Sequence, residues 1–265
     1  MKVPPQLLSL LRDPVGLEPL QLEGDHLINP ARGRRYPIVG TIPSFVVAAE
    51  LGPQNSKFQR MYDRMARIYD LGLTLGNLFY RGKLAGLRRQ LAARLALKPG
   101  DRVLYTSIGT GADLPYWSER VVLASLEWVG LDLSLGMLRR CQARMRSLAG
   151  AALLVQANAE RLPLADRSFD VVLHVGGINF FDQPAVAVQE MLRVAKDRAR
   201  LLIVDETNQV AEKSYRKNPL TRAYFRDTPG SFNPRDWVPP EARDVAFEEV
   251  FDGRAYVLTF RAPVR

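Results

Sequence analysis

Residues 103–111 read Val-Leu-Tyr-Thr-Ser-Ile-Gly-Thr-Gly. An apolar run passes straight into a glycine turn, and a helix is predicted to start near Ala112. Glycine lets the backbone approach a bound group closely, and a helix beginning there presents free N–H donors to it. This strand–turn–helix unit constrains the rest of the chain, because a buried strand of this kind needs parallel neighbours covered by helices. The neighbours are legible. Residues 102–107, 127–131, 153–157, 170–174 and 201–205 read as strands, and 184–194 reads as a helix with Pro184 in its first turn. Ser134 is placed to cap a helix running to about Ser147. Residues 246–251 and 256–260 read as a closing antiparallel pair turned at Asp252-Gly253. The alternation predicts an α/β fold with a mostly parallel sheet and helices on both faces.

The first 50 residues are different. Pro4, Pro5, Pro14, Gly16, Pro19, Gly24, Pro30, Gly33, Pro37, Gly40 and Pro43 break them into short apolar pieces, predicting a small β-rich module. From Ser56 to about Leu97 the spacing is helical: Met61, Met65, Ile68 and Tyr69 share a face, as do Leu84, Leu87, Leu91 and Leu95. The expected organisation is therefore a module over 1–50, a helical lid or linker over 51–100 and a core over 101–265.

Charge is concentrated in the middle part. The chain carries +9 overall, and residues 51–100 carry +8 of it, with ten Lys and Arg against Asp63 and Asp70. Such a segment suits a phosphate, an acidic substrate or a membrane surface, or is simply a solvated helical face. Cys141 is the one cysteine, so an internal disulfide framework and a multi-cysteine metal site are both excluded. Its mid-helix place among Arg139, Arg140 and Arg144 reads as packing. Glu127 and Asp132 interrupt the longest apolar stretch, so a membrane span is not expected. Residues 1–12 lack a secretory pattern, and the expected location is the cytoplasm.

Two carboxyl-terminal strand ends sharpen the reading. Asp132 closes the second strand about 20 residues beyond the glycine turn, where a carboxylate can accept both ribose hydroxyls of a nucleotide. Asn158 follows the third strand. Together with GLDLSLGML at 130–138, NAERLPLADRSFDVV at 158–172, EMLRVAKDRARLLIVDE at 190–206 and MYDRMARIYD at 61–70, the chain resembles a class I S-adenosylmethionine (SAM)-dependent methyltransferase of the ubiquinone/menaquinone-biosynthesis branch. The resemblance covers roughly residues 57–265 and implies a Rossmann-like core.

That resemblance implies a cofactor site. Gly109, Thr110 and Gly111 would face the methionine part of SAM, and Asp132 would hold the ribose. Leu133 and Met137 would lie near the adenine, with Asn158 and Ala159 reading its edge. The structural alternatives are a tight ligand-free turn at Gly109 and Gly111, a helix-capping role for Asp132 and plain packing for Met137. The family usually carries an acid where this chain has Tyr105, a phenol that stays neutral at pH 7. Asp113 is the nearby acid able to substitute. The change from Asp to Asn158 is mild, since an amide oxygen still accepts.

The N-terminal module resembles a zinc ribbon that has lost its cysteines. Its two knuckles have become Asp13-Pro14-Val15-Gly16 and Asn29-Pro30-Ala31-Arg32, and His26 is the single metal-type ligand left, so no zinc is expected. Leu20, Leu22, Ile28, Tyr36, Ile38 and Ile42 would hold it, as a scaffold or lid, with nucleic-acid docking as the minority reading.

Methyl transfer mainly asks an enzyme to position the acceptor, with a base where the acceptor must lose a proton. His174, Asp205 and Glu206 sit at strand ends and are the candidates; Tyr62 and Tyr69 are candidates for closing over the site. His174 also reads as a hydrogen-bonded structural histidine. Three functions follow: methylation of a small aromatic, quinone-like or natural-product acceptor; methylation of RNA, motivated by the basic segment; and a non-methylating use of the pocket, motivated by Tyr105. The basic helices are also candidates for a homodimer surface.

Overall fold

A computed structural model describes residues 5–146, 151–210, 225 and 231–265. After a short helix α1 (Pro5–Leu8), the N-terminal sheet consists of β1 (Gln21–Glu23), β2 (His26–Asn29), β3 (Arg34–Val39) and β4 (Ile42–Pro43), each antiparallel to the next. Two helices follow, α2 (Pro53–Phe79) and α3 (Lys83–Leu95). The core then alternates: β5 (Arg102–Thr106), α4 (Leu114–Ser118), β6 (Glu127–Asp132), α5 (Leu135–Met145), β7 (Ala151–Gln156), β8 (Phe169–Val175), α6 (Pro184–Val194) and β9 (Ala195–Glu206). It closes with β10 (Arg243–Val250) and β11 (Ala255–Arg261).

The large sheet has seven strands in the order β10-β11-β9-β8-β5-β6-β7. β7, β6, β5, β8 and β9 are parallel, while β11 and β10 run antiparallel to them. The predicted α/β architecture is the observed one. Chain order reverses between β5 and β8, and open sheets of this kind bind ligands in the crevice at that point. The strands are apolar on both faces: Leu104, Val129, Leu153 and Val172 pack to one side, and Val103, Leu154, Val171 and Leu173 to the other.

Some local expectations are corrected. The helical stretch is broken at Arg81 and Gly82, which take φ +50° and +81° and turn the chain from α2 into α3. The helix expected near Ala112 is a single turn and a half, delayed to Leu114 because residues 109–111 spend two positive-φ glycines in the turn. Ser134 caps α5 as expected, its Oγ accepting from Met137 N at 3.1 Å. The expected helix end at Ser147 lies outside the described residues. β9 begins at Ala195, directly after α6, well ahead of the expected Leu201.

The N-terminal sheet shares its core with the large one. Leu7, Leu10, Leu11, Leu27, Tyr36 and Phe45 are buried in the same cluster as Val129, Leu153 and Leu164. Leu11 bridges to Leu164 and Ser44 to Gln156. Leu22, expected inside, is 56% exposed on the edge strand β1. At the two knuckle positions side-chain oxygens organise the turns. Asp13 Oδ1 accepts from Val15 and Gly16 N, and Asn29 Oδ1 accepts from Ala31 and Arg32 N. Asn29 Nδ2 then donates to Asp13 Oδ2 at 2.7 Å, joined by the Tyr36 hydroxyl at 3.0 Å, and Glu18 pairs with Arg32 at 2.7 Å. Both Asp13 and Asn29 are fully buried, so each buried polar group is paired.

Candidate functional site

β5 and β6 end side by side, Thr106 opposite Leu131, and their exits build the floor of the site. Ser107 and Gly109 take φ +58° and +57°, aiming successive backbone groups across the strand ends. Gly109 N donates to Asp132 Oδ2 at 2.8 Å, and Ser134 N donates to Oδ1 at 2.8 Å. Each oxygen therefore keeps a lone pair for a second donor. Burial pushes the Asp132 carboxyl up to about 6, opposed by the N–H bonds from Ser134 and Gly109. A Cβ built on Gly109 would meet nothing within 4 Å, so the space beside this turn is open.

Above the floor is a cavity of about 460 Å³. α2 roofs it with Asn55, Phe58, Gln59, Met61, Tyr62, Met65, Tyr69 and Leu73, and the loops after β6, β7, β8 and β9 complete it. One end is aromatic: Phe58 stacks on Phe180 with centroids 5.0 Å apart, and Phe225 packs against both. Tyr62 and Tyr69 meet edge to face at 6.2 Å. Burial raises both phenols, Tyr69 to about 12, so both are neutral at physiological pH.

The far wall is fixed by Asp205. Its Oδ2 accepts from Gly177 and Asn179 N, each at 3.0 Å, and its Oδ1 accepts from Glu206 N at 2.8 Å. Asn179 is held in turn by the Tyr256 hydroxyl and by the carbonyl of Glu206. Burial raises the Asp205 carboxyl to about 6 against those backbone donors. Asp132, Asp205 and Glu206 all line the cavity, and among the described residues its lining has no Lys, Arg or His. In a chain of net +9, this is an acidic recess.

The cavity brings together Gly109, Asp132, Leu133, Met137, Asn158, Ala159, Asp205, Glu206, Tyr62 and Tyr69 from the sequence-based set. Asn158 turns its Oδ1 back onto Glu160 N at 3.0 Å. Four candidates are absent from the lining, each for a visible reason. Tyr105 lies on the other side of β5, stacked on Trp117, with its hydroxyl donating to Asp113 Oδ2 at 2.5 Å. Thr110 is buried against α2, its Oγ1 donating to Asp70 Oδ1 at 2.6 Å. Gly111 answers to packing: a Cβ there would sit 2.8 Å from Cys141 Sγ, at φ +70°. His174 is fully buried beneath the cavity loop, with Nδ1 3.1 Å from Thr106 Oγ1 and its ring edge-on to Phe181. Burial lowers its pKa to about 3, so it stays neutral and is a weak base near neutrality. Asp113 is likewise turned away, its Oδ1 taken by Arg88 at 2.6 Å.

Sequence reasoning missed Ser107, Phe58, Phe180 and Phe225. Ser107 was detectable, since it opens the Ser-Ile-Gly-Thr-Gly turn. The three phenylalanines come from distant segments and carry no shared signal.

The chain is similar to known proteins over its core. Residues 104–203 match the methyltransferase domain family. A demethylmenaquinone methyltransferase of Renibacterium salmoninarum is 32% identical over 157 residues, 59% of this chain and 62% of the relative. The ubiquinone/menaquinone biosynthesis C-methyltransferase UbiE of Syntrophotalea carbinolica is 35% identical over 168 residues, 63% of this chain and 65% of its own length. The chain thus spans a little under two thirds of these relatives. Among solved structures, the [4+2]-cyclase SpnF superposes with TM-score 0.58 at 16% identity, covering 82% of this chain and 98% of the other. A SAM-dependent methyltransferase from Thermotoga maritima gives 0.56 at 19%, covering 77% and 98%. At such identities the likeness concerns the fold.

Proposed function

We propose that this chain is a SAM-dependent methyltransferase for a small, quinone-like acceptor. The acids of the cavity, Asp132 above all, carry the reading: with no Lys, Arg or His among the described residues of the lining, they favour a positively charged guest. SAM, when bound, supplies an electrophilic methyl group on a positively charged sulfur. Asp132 has a free lone pair on each oxygen for a pair of ribose hydroxyls, and the open side of Gly109 admits the amino-acid part. Leu133, Met137, Asn158 and Ala159 form the slot that an adenine ring would enter.

The acceptor half follows from the aromatic end. Phe58, Phe180 and Phe225 line this end with rings suited to a flat apolar molecule, and α2 covers it. The curated relatives named for demethylmenaquinone and ubiquinone/menaquinone biosynthesis support a quinone-like ring. For proton removal the structure favours Asp205 over His174. Both lone pairs of Asp205 Oδ2 are filled by backbone N–H groups, which leaves Oδ1, with one place open, to take a proton. Glu206 lines the same wall.

The organisation into a module over 1–50, a lid over 51–100 and a core over 101–265 belongs to the same proposal. The module is read as a zinc-ribbon-like scaffold in which Asp13 and Asn29 oxygens take over the turn N–H groups that metal-bound thiolates would otherwise accept. Chelator should therefore leave its melting temperature unchanged.

Calorimetric titration with SAM and S-adenosylhomocysteine, with mass spectrometry for co-purified ligand, tests the site. Micromolar binding lost in Asp132→Ala, followed by label transfer from methyl-labelled SAM to a hydroquinone, is the expected result. Binding without transfer to any quinol would favour the non-methylating use of the pocket.

A further inference from the structure

The helix that roofs the cavity has a second face. Ile68, Leu71, Leu75, Leu78 and Phe79 follow helical spacing along the outer side of α2 and are 60, 59, 57, 75 and 79% exposed. Single exposed apolar residues are ordinary; a continuous strip of five large ones on a single helix marks an interaction surface. One to two turns earlier the same face carries Arg60, Arg64 and Arg67, all exposed. The acids of α2 are turned elsewhere: Asp63 accepts from Ser134 Oγ and Gly136 N, and Asp70 pairs with Arg144 and Thr110. The outer face is thus basic along its first half and apolar along its second.

We propose that this face seats the protein on a bilayer surface carrying anionic lipids. Charge decides the occupant. Residues 51–100 sum to +8, and a second copy would bring the same arginines and no acid to the shared face. An anionic headgroup layer complements the arginines, and the boundary below it takes up the leucines and Phe79, as amphipathic surface helices do. The seat also adjoins the site. Met65 lines the cavity and is 38% exposed, so the lid's inner apolar lining is continuous with the outer strip. A lipophilic acceptor could then reach the aromatic end without crossing water; this last step rests on the quinone-like reading proposed above.

Flotation of the full chain with vesicles tests it. One set is phosphatidylcholine alone and the other contains about 30% phosphatidylglycerol. The expected result is recovery with the anionic set, weakened by salt. Arg60→Glu with Arg64→Glu should lower the bound fraction at least about fivefold for each charge removed. Leu75→Glu with Leu78→Glu should lower it about tenfold or more. Unchanged circular-dichroism melting and unchanged SAM titration keep these variants interpretable. No recovery with either vesicle set overturns the proposal. So does a concentration-dependent dimer by light scattering that Leu78→Glu disperses, and so does salt-sensitive retention of RNA with no retention of vesicles. Transfer to a short, water-soluble quinol without vesicle binding sinks the seat and spares the methyltransferase reading. Vesicle binding without transfer to any quinol does the reverse.

Discussion

Asp132 and Asp113 are two acids placed by turns at the ends of adjacent parallel strands, and their surroundings set them to opposite uses. Asp132 is met by backbone N–H groups alone, from Gly109 and Ser134, and faces the cavity. Asp113 is met by a guanidinium, Arg88, and a phenol, Tyr105, and faces Trp117 and α3. A carboxylate neutralised by a cation has nothing left to offer a guest. One that is oriented by the backbone but left without a counter-charge keeps both its charge and spare lone pairs. The difference separates a binding acid from a structural one, although both are near the glycine turn.

Removing each acid tests the contrast, and the structural one should give the larger effect. Asp113→Ala strands a largely buried Arg88 without its partner, and breaking such a pair costs about 3–5 kcal/mol. Urea unfolding should show the loss, while Asp113→Ala combined with Arg88→Met should recover much of it. The binding acid should behave in reverse. Asp132→Ala removes two charge-assisted hydrogen bonds to a ribose, each about 1.5 kcal/mol or more, so SAM affinity should fall about 100-fold. Its unfolding midpoint should scarcely move, because a carboxyl whose pKa is raised by burial costs the folded state when it ionises. A large stability loss in Asp132→Ala would erase the distinction.

How far this was legible depends on sequence distance. The parallel sheet, the glycine turn, Asp132 and the Ser134 cap are local patterns, and the structure keeps all of them. Strand ends located His174 and Tyr105 correctly along the chain, but position along a strand does not say which way a side chain turns. Tyr105 follows Val103 onto the face packed by α3 and α4, and His174 tucks under the loop that Asp205 ties down. The Arg88–Asp113–Tyr105 cluster joins three segments and has no linear signature. The same is true of the aromatic end, where Phe58, Phe180 and Phe225 meet only because α2 lies across the strand ends.

Acid sharpens the comparison next. In the free protein Asp132 and Asp205 both sit at about 6 against an ordinary 3.8, so the folded state binds protons that the unfolded chain releases between those values. The stability of the free protein should therefore fall as pH rises through that window. Ligand affinity has the opposite sign, since the ribose needs an ionised Asp132. SAM binding should weaken by up to about tenfold for each pH unit below about 6. Titrations at a series of pH values measure the first slope by unfolding and the second by calorimetry. An affinity that is flat from neutrality into this acid range would mean that Asp132 does not meet the ligand.

The smallest effect is at Tyr105. The resemblance to methyltransferases suggests that an acid in its place would strengthen the cofactor site, whereas the structure puts its hydroxyl on Asp113 and away from the cavity. Tyr105→Phe deletes one hydrogen bond to a carboxylate that keeps Arg88, a cost of about 1.5 kcal/mol in stability, with SAM affinity unchanged. Tyr105→Asp should also leave affinity unimproved, because the new carboxylate would face Asp113 across a buried gap and repel it. Calorimetry on both variants decides the point. If Tyr105→Asp tightened SAM binding, the side chain at 105 would have to reach the cavity once relieved of its contact with Asp113. The boundary between the structural acid and the binding acid would then be set by the phenol and not by the strand.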